Sequence, residues 1–239
     1  MENAEKTLTK SYYCVIPVYN NYPVIEEVVR RTSAVFDKVL IIDDGSSDAN
    51  LQELFSALPV EVIRHEHNQG KGAALITALN ILKKRKVDYM ITLDGDGQHF
   101  PEDIPQIIDF LEQAEKPLLL AGCRDFNHAA VPFASRLGRA LSNWGIRLQT
   151  AISLADSQCG FRAYPVREVA ALESSTLRYN YETEIVIRSA WAGIKIVDFP
   201  VRVHYPQKHE RISHFRPVMD SWRIFRLHIA LLCRKIFCR

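Results

Sequence analysis

No C-x-x-C pair and no Cys/His zinc pattern occur in this chain. The five cysteines, Cys14, Cys123, Cys159, Cys233 and Cys238, are scattered and odd in number. Neither a disulfide framework nor a structural zinc site is supported, and a reducing, cytosolic compartment fits best. No apolar run approaches the ~20 residues that span a bilayer, so an integral membrane protein is not expected. Met1 to Lys10 is polar and lacks the apolar core of a signal peptide. Repeats and low-complexity linkers are missing too. So is a strong charge of one sign: 30 Lys and Arg against 28 Asp and Glu leave +2, which says little about partners.

What remains is a globular composition, 47% hydrophobic and 24% charged over 239 residues. That suffices for a sizeable core in one large domain, or a domain with an appendage. The charge is unevenly placed. From Arg202 to Arg239 the chain is basic, with only Glu210 and Asp220 opposing its lysines and arginines.

Tyr12 to Val18 reads as a strand, and Val24, Ile25, Val28 and Val29 then recur at helical spacing to about Phe36. Lys38 to Ile42 is a second strand, stopping at Asp43-Asp44-Gly45-Ser46-Ser47-Asp48. Ser47 or Asp48 is expected to cap a helix from Ala49 to Leu58, which Pro59 ends. Val60 to Arg64 is a third strand. The loop His67-Asn68-Gln69-Gly70-Lys71-Gly72 opens a helix from Ala73 to Lys84, and Tyr89 to Leu93 is a fourth strand. Helix Pro101 to Gln113 and strand Pro117 to Gly122 follow. This alternation predicts an α/β fold, a Rossmann-like, mostly parallel central sheet flanked by helices. Ligands of such sheets bind outside the strand C-terminal ends. There Tyr19-Asn20, Asp43-Asp44 and Asp94/Asp96 are expected to converge.

Beyond Gly122, Ser135 to Thr150 reads as an amphipathic helix. Ala155 to Arg162 is a polar loop entering a short strand. Tyr179 to Trp191 is a helix with Glu182 and Glu184 near its start, and Ile194 to Val203 is a strand. Residues 10–217 are assigned to one domain and 218–239 to a basic, amphipathic C-terminal helix. In that helix Trp222, Phe225, Ile229, Leu232 and Ile236 share a face opposite Arg223, Arg226 and Arg234. Such a face belongs to a helix lying on a membrane surface or to one packed on its own domain.

The chemistry centres on Asp94-Gly95-Asp96-Gly97-Gln98-His99. In an extended chain Asp94 and Asp96 point the same way, and their repulsion is relieved by a divalent cation held through hard oxygens. Gln98 offers another oxygen. The plainer reading is a polar turn after a strand. Backbone N–H groups at Gly70 to Gly72 suit a pyrophosphate or simply begin a helix. Asp43 or Asp44 suits a base or ribose, or a cap. Together these fit a nucleoside diphosphate, with the cation acting as a Lewis acid toward a leaving diphosphate.

Ile16-Pro17-Val18-Tyr19-Asn20-Asn21, Asp43 to Asp48, Asn68 to Gly72 and Asp94 to His99 occur in the order and spacing of family 2 glycosyltransferases. The chain resembles most the dolichol- and polyprenyl-phosphate sugar synthases, over about residues 12–216. The resemblance implies the GT-A fold, a nucleotide-sugar donor, Mg²⁺ or Mn²⁺, inversion at the anomeric carbon and a lipid-phosphate acceptor. It places the metal at Asp94, Asp96 and Gln98. Nucleotide contacts fall at Pro17, Tyr19, Asp43 and Asp44, with the Gly70-Lys71 loop, Asp94 and Gly160 also facing the donor. Gly160-Phe161-Arg162 matches a segment facing sugar and phosphates, and Glu184 or Glu182 is the general-base candidate. Asn21 stands where the branch has Glu. Lys208, Arg211, His214 and Arg216 stand in a loop expected to close over phosphates. The C-terminal helix is expected to give peripheral contact with the cytoplasmic membrane face.

Two other readings use the same residues. A haloacid-dehalogenase-type phosphotransferase also places Asp-x-Asp after a strand, but near the start of its fold, whereas whole strand–helix units precede Asp94. A non-catalytic nucleic-acid binder using the basic tail leaves the Asp clusters unexplained and lacks a motif; no nucleic-acid partner is expected.

Overall fold

The computed structural model describes residues 9–125, 133–204 and 217–237. Apolar runs at 12–18, 39–43 and 89–92 are buried on both faces, as strands sandwiched between helices must be. The strands are β1 (Tyr12–Val18), β2 (Val39–Asp43), β3 (Val60–Arg64), β4 (Tyr89–Thr92), β5 (Leu118–Cys123), β6 (Arg162–Pro165) and β7 (Lys195–Pro200). They form one sheet in the order β3-β2-β1-β4-β6-β5-β7. Only β6 runs antiparallel to its neighbours, β4 and β5. The mostly parallel sheet expected from the alternation is therefore present.

The helices are α1 (Val24–Val35), α2 (Leu51–Leu54), α3 (Lys71–Lys84), α4 (Ile104–Glu112), α5 (Phe133–Thr150), α6 (Val166–Val169), α7 (Asn180–Trp191) and α8 (Pro217–Phe237). Strand alternation divides the core. Cys14, Ile16, Ile41 and Ile91 meet Ile25, Val29, Ile107 and Leu111 of α1 and α4. Val15, Leu40 and Met90 meet Leu75, Ala78 and Leu82 of α3, with Ile185 of α7. Each fully buried Leu or Ile contributes about 1.5–3 kcal/mol. A third cluster joins Ile146 of α5, Val186 and Ile187 of α7, and Leu227 and Leu231 of α8.

Three local expectations change. The helix expected over Ala49–Leu58 is the single turn α2. Asn50 caps it, accepting from the Glu53 N–H at 3.4 Å. Ser47 and Asp48 are engaged elsewhere: the Ser47 N–H donates to Asn20 Oδ1, and Asp48 accepts from the Tyr22 N–H. β7 stops at Pro200, and Val203 instead pairs with His99 in an isolated bridge. β4 ends at Thr92, so Asp94 and Asp96 lie in a turn, not on an extended strand, with Gly97 at φ +73°. The alternation argument for their shared direction therefore does not apply, although their charges still interact.

Candidate active site

The C-terminal ends of β1, β2 and β4 lie along one sheet edge, and α3 and α7 bring their N-terminal ends to it. Gly70 and Gly72 allow this approach. A β-carbon on Gly72 would meet Tyr181 Cβ at 2.5 Å, and one on Gly70 would meet the Leu177 carbonyl at 2.6 Å. The Ala73 N–H donates to that carbonyl at 2.9 Å. With the two helix starts joined, Lys71 and Glu182 meet. Lys71 Nζ lies 2.8 Å from Glu182 Oε2 and 2.6 Å from Asp94 Oδ1.

Asp94 is held from the other side by Gly160, where an added β-carbon would fall 2.1 Å from Asp94 Oδ2. Gly160 is fixed in turn by the Thr92 hydroxyl, which donates to its carbonyl at 2.7 Å. Asp96 accepts from the Gln98 N–H at 3.0 Å and from Gln98 Nε2 at 2.9 Å. His99 is buried, with Nε2 3.7 Å from Cys159 Sγ.

These contacts set the charges. Burial alone would lower the Lys71 pKa, but Asp94 and Glu182 outweigh it and hold the ammonium above the usual lysine range. Burial pushes Asp94 up, and Lys71, with His99, pulls it below the usual carboxylate range. Burial, then the Asp94 charge, raises Asp96 to about 6. Burial lowers His99 to about 4, so the imidazole is neutral. Two carboxylates that resist joint ionisation, beside an amide oxygen, form a hard-oxygen donor set that suits Mg²⁺ or Mn²⁺. Among the described residues no group of three His, Cys, Asp or Glu converges on a metal position. The pair would need further oxygens from a ligand such as a diphosphate.

The remaining candidates separate. Pro17 and Tyr19 stand at the end of β1, both partly exposed. Asp43 is buried, accepting from the Ser46 N–H at 2.7 Å and from Arg64 at 3.0 Å. Asp44 turns inward and holds the glycine loop, accepting from the N–H groups of Gln69 and Gly70 and facing His65 Nδ1 at 2.8 Å. The Gly70 N–H is thus engaged within the protein.

Two candidates, Arg162, expected to take part in catalysis from the segment facing sugar and phosphates, and Glu184, one of the two base candidates, lie elsewhere. Arg162 is turned into the interior and is 1% exposed. Its guanidinium donates to the carbonyls of Cys159, Glu182 and Ser157 at 2.7, 2.9 and 2.7 Å. It ties the 157–160 loop to α7, because a buried guanidinium must have its donors satisfied. Glu184 is also turned away from Asp94. It accepts from the Ser175 N–H, the Ser175 and Thr176 hydroxyls, and Arg188 Nε. Burial raises its pKa, but these donors outweigh it and lower it. Of the two glutamates, only Glu182 reaches the Asp94 cluster. Lys208, Arg211, His214 and Arg216 lie outside the described residues.

The sequence reading missed Arg124 and Tyr179. Arg124 follows β5 and pairs with Asp156 at 2.6 Å, and its charge bears on Asp94 and Asp96. Its place just past a strand end was the available signal. Tyr179 feels Lys71, Asp94 and Glu182 through space, and burial raises it to about 12.

The sequence profile of Glycosyl transferase family 2 matches residues 13–165. A UDP-N-acetylglucosamine–dolichyl-phosphate N-acetylglucosaminyltransferase of Methanococcus voltae is 27% identical, over 95% of this chain and 98% of that protein. An undecaprenyl-phosphate 4-deoxy-4-formamido-L-arabinose transferase of Edwardsiella ictaluri is 31% identical over 82% of this chain and 60% of its own length. Among solved structures, the glucosyl-3-phosphoglycerate synthase of Mycobacterium tuberculosis, crystallised with Mn²⁺, UDP and phosphoglyceric acid, superposes with a TM-score of 0.69. It is 20% identical, over 94% of this chain and 78% of that one. At that identity the likeness concerns the fold alone, the GT-A arrangement.

Proposed function

Because the chain belongs to glycosyl transferase family 2, we propose that it moves a sugar, with inversion, from a nucleotide-diphosphate donor to a polyprenyl phosphate or another lipid-linked acceptor. Membership of that family leaves no place for the haloacid-dehalogenase alternative. The observation that carries the proposal is Asp94, held between Lys71 and Gly160 at the sheet edge with Asp96 and Glu182 beside it. Dolichyl and undecaprenyl phosphates are named as the acceptors of two relatives, which supports a lipid phosphate here.

Asp94, Asp96 and Gln98 would hold Mg²⁺ or Mn²⁺, which supplies Lewis-acid neutralisation of the leaving diphosphate. The protein's own parts orient and charge the site. Gly160 fixes the direction of Asp94, Lys71 pairs with it in the metal-free protein, and Pro17, Tyr19 and Asp43 stand at the ends of β1 and β2, where the nucleoside would sit. A phosphate acceptor is already ionised and needs little help from a base. Glu182 then positions Lys71, and it serves as base only toward a hydroxyl acceptor.

Contact with a membrane surface is part of the same proposal. α8 packs inward through Leu227 and Leu231, yet its Trp222 and Phe225 are 58% and 54% exposed. α5 lies against it so closely that a β-carbon on Gly145 would meet His228 Cε1 at 2.7 Å. On the flank of α5 beside that seam, Leu141, Trp144 and Leu148 are exposed as well. We read the two apolar stripes, one on each side of the α5–α8 contact, as one surface. Arg147 and Arg226 are exposed on these helices, α5 has no acidic residue, and Asp220 of α8 is buried. An apolar, basic surface of this kind suits an anionic bilayer, which we assign to the cytoplasmic face. Among the described residues no helix is long and apolar enough to cross a membrane.

The test is a screen of nucleotide sugars for thermal stabilisation with Mn²⁺, followed by transfer of labelled sugar to polyprenyl phosphate. A chain that no nucleotide sugar stabilises and that labels no lipid would overturn the proposal.

A further inference from the structure

Asp94 already has a cation. The Lys71 ammonium, on a side chain 13% exposed, lies 2.6 Å from Asp94 Oδ1 and 2.8 Å from Glu182 Oε2. Glu182 Oε1 is buried and has no hydrogen-bond partner among the described residues. A buried carboxylate oxygen left unpaired is costly. Next to an ammonium on a four-carbon stem it is an acceptor held in reserve. Asp96 is engaged too, by two donors of Gln98. A divalent ion approaching Asp94 therefore meets a resident positive charge within contact distance, and like charges so placed repel strongly where water is scarce.

We propose, resting on the metal reading above, that Lys71 is a built-in counter-cation that a divalent ion must displace from Asp94, its ammonium passing wholly to Glu182. The free protein then binds the ion weakly. The ion enters well only together with a nucleoside diphosphate, whose negative charge offsets the second cation. Lys71 in this role is a positioning residue that couples metal loading to donor loading. A site charged with metal but empty of donor is thereby kept rare.

Mn²⁺ binding to the full chain, read from the EPR signal of the free ion, tests this with and without UDP, and in parallel with GDP. For the natural sequence a nucleotide should tighten Mn²⁺ at least about tenfold, or ~1.4 kcal/mol. Lys71→Met should bind Mn²⁺ alone at least about tenfold tighter than the natural sequence. Lys71→Gln, which keeps a donor toward Asp94 without the charge, should shift the same way, and circular dichroism checks both folds. Natural protein that binds Mn²⁺ equally well with and without nucleotide overturns the inference whatever the variants do. So do folded variants that bind it no tighter. Those outcomes leave the metal reading standing. If no form binds Mn²⁺ under any of these conditions, the metal reading itself fails and the inference with it.

Discussion

Gly160 sits against Asp94 so closely that a β-carbon added to it would fall 2.1 Å from Asp94 Oδ2. The obstacle is the carboxylate proposed to hold the metal, which is paired on its other side with Lys71 in the metal-free protein. Gly160→Ala should therefore move Asp94 while leaving the fold intact. Misplacing a reacting group by about 1 Å costs on the order of 100-fold in rate, so donor turnover should fall by about that factor. Steady-state kinetics beside a melting curve checks this. Natural turnover in the variant would show that the position of Asp94 does not matter.

Asp96→Ala should abolish turnover with Mn²⁺ while the circular dichroism spectrum is unchanged. The pH dependence follows from the pKa of Asp96, raised to about 6 by burial and by Asp94. A protonated carboxylate is a poor ligand, so Mn²⁺–nucleotide affinity should fall as pH drops through about 6. The metal-free stability runs the other way. The native state holds this proton above the unfolded pKa, so this group's contribution weakens as pH rises from about 4 to 6. Asp96→Asn should remove that loss and melt higher than the natural chain at pH 7 without metal. Equal melting temperatures at pH 7 would count against the assignment.

The two glutamates of α7 should respond oppositely. Glu184→Ala strands Arg188 and the donors of Ser175 and Thr176, and breaking a buried pair costs about 3–5 kcal/mol. Its turnover per folded molecule should stay near natural. Glu182→Gln should lower turnover and cost less stability than Glu184→Ala, because Lys71 keeps Asp94 as a partner. The reverse pattern would make Glu184 the active glutamate.

Arg162→Met leaves three buried carbonyls without their donor. At about 1–3 kcal/mol for each unsatisfied group, the variant should be poorly soluble or melt many degrees lower. A well-folded Arg162→Met protein with abolished activity would restore Arg162 to the site.

Deleting α8 is a poor probe of the membrane surface, because Leu227 and Leu231 belong to a core cluster. Trp144→Ser with Phe225→Ser alters only exposed side chains. The double variant should lose at least about tenfold in binding to anionic liposomes by flotation, through lost apolar burial, with the melting temperature kept. Undiminished flotation would remove these helices from the membrane contact.

Much of the protein was legible in the chain before its folding. Short apolar runs located β1 to β5, because strands covered by helices on both faces are apolar throughout, and period-3.6 patterns located α1, α3 and α4, because burial on one face imposes that spacing. The end-of-strand rule gathered Tyr19, Asp43 and Asp94 on one edge. The helix expected from Ala49 starts later, at Leu51 with Asn50 as its cap, because Asn20 and Tyr22, close only in space, engage Ser47 and Asp48.

The sequence by itself determined the order of elements, the carboxylate pair and its place at the sheet edge, since these follow from periodicity and topology. Tertiary structure alone decided which neighbours meet. Residues two apart on a helix point about 200° away from each other. Glu182 and Glu184 therefore cannot both face Asp94, and only the packing of α7 on α3 selects Glu182. The same packing drives Arg162 into the interior and carries Lys71 onto Asp94. Those contacts join residues far apart in the chain, and no local pattern encodes them.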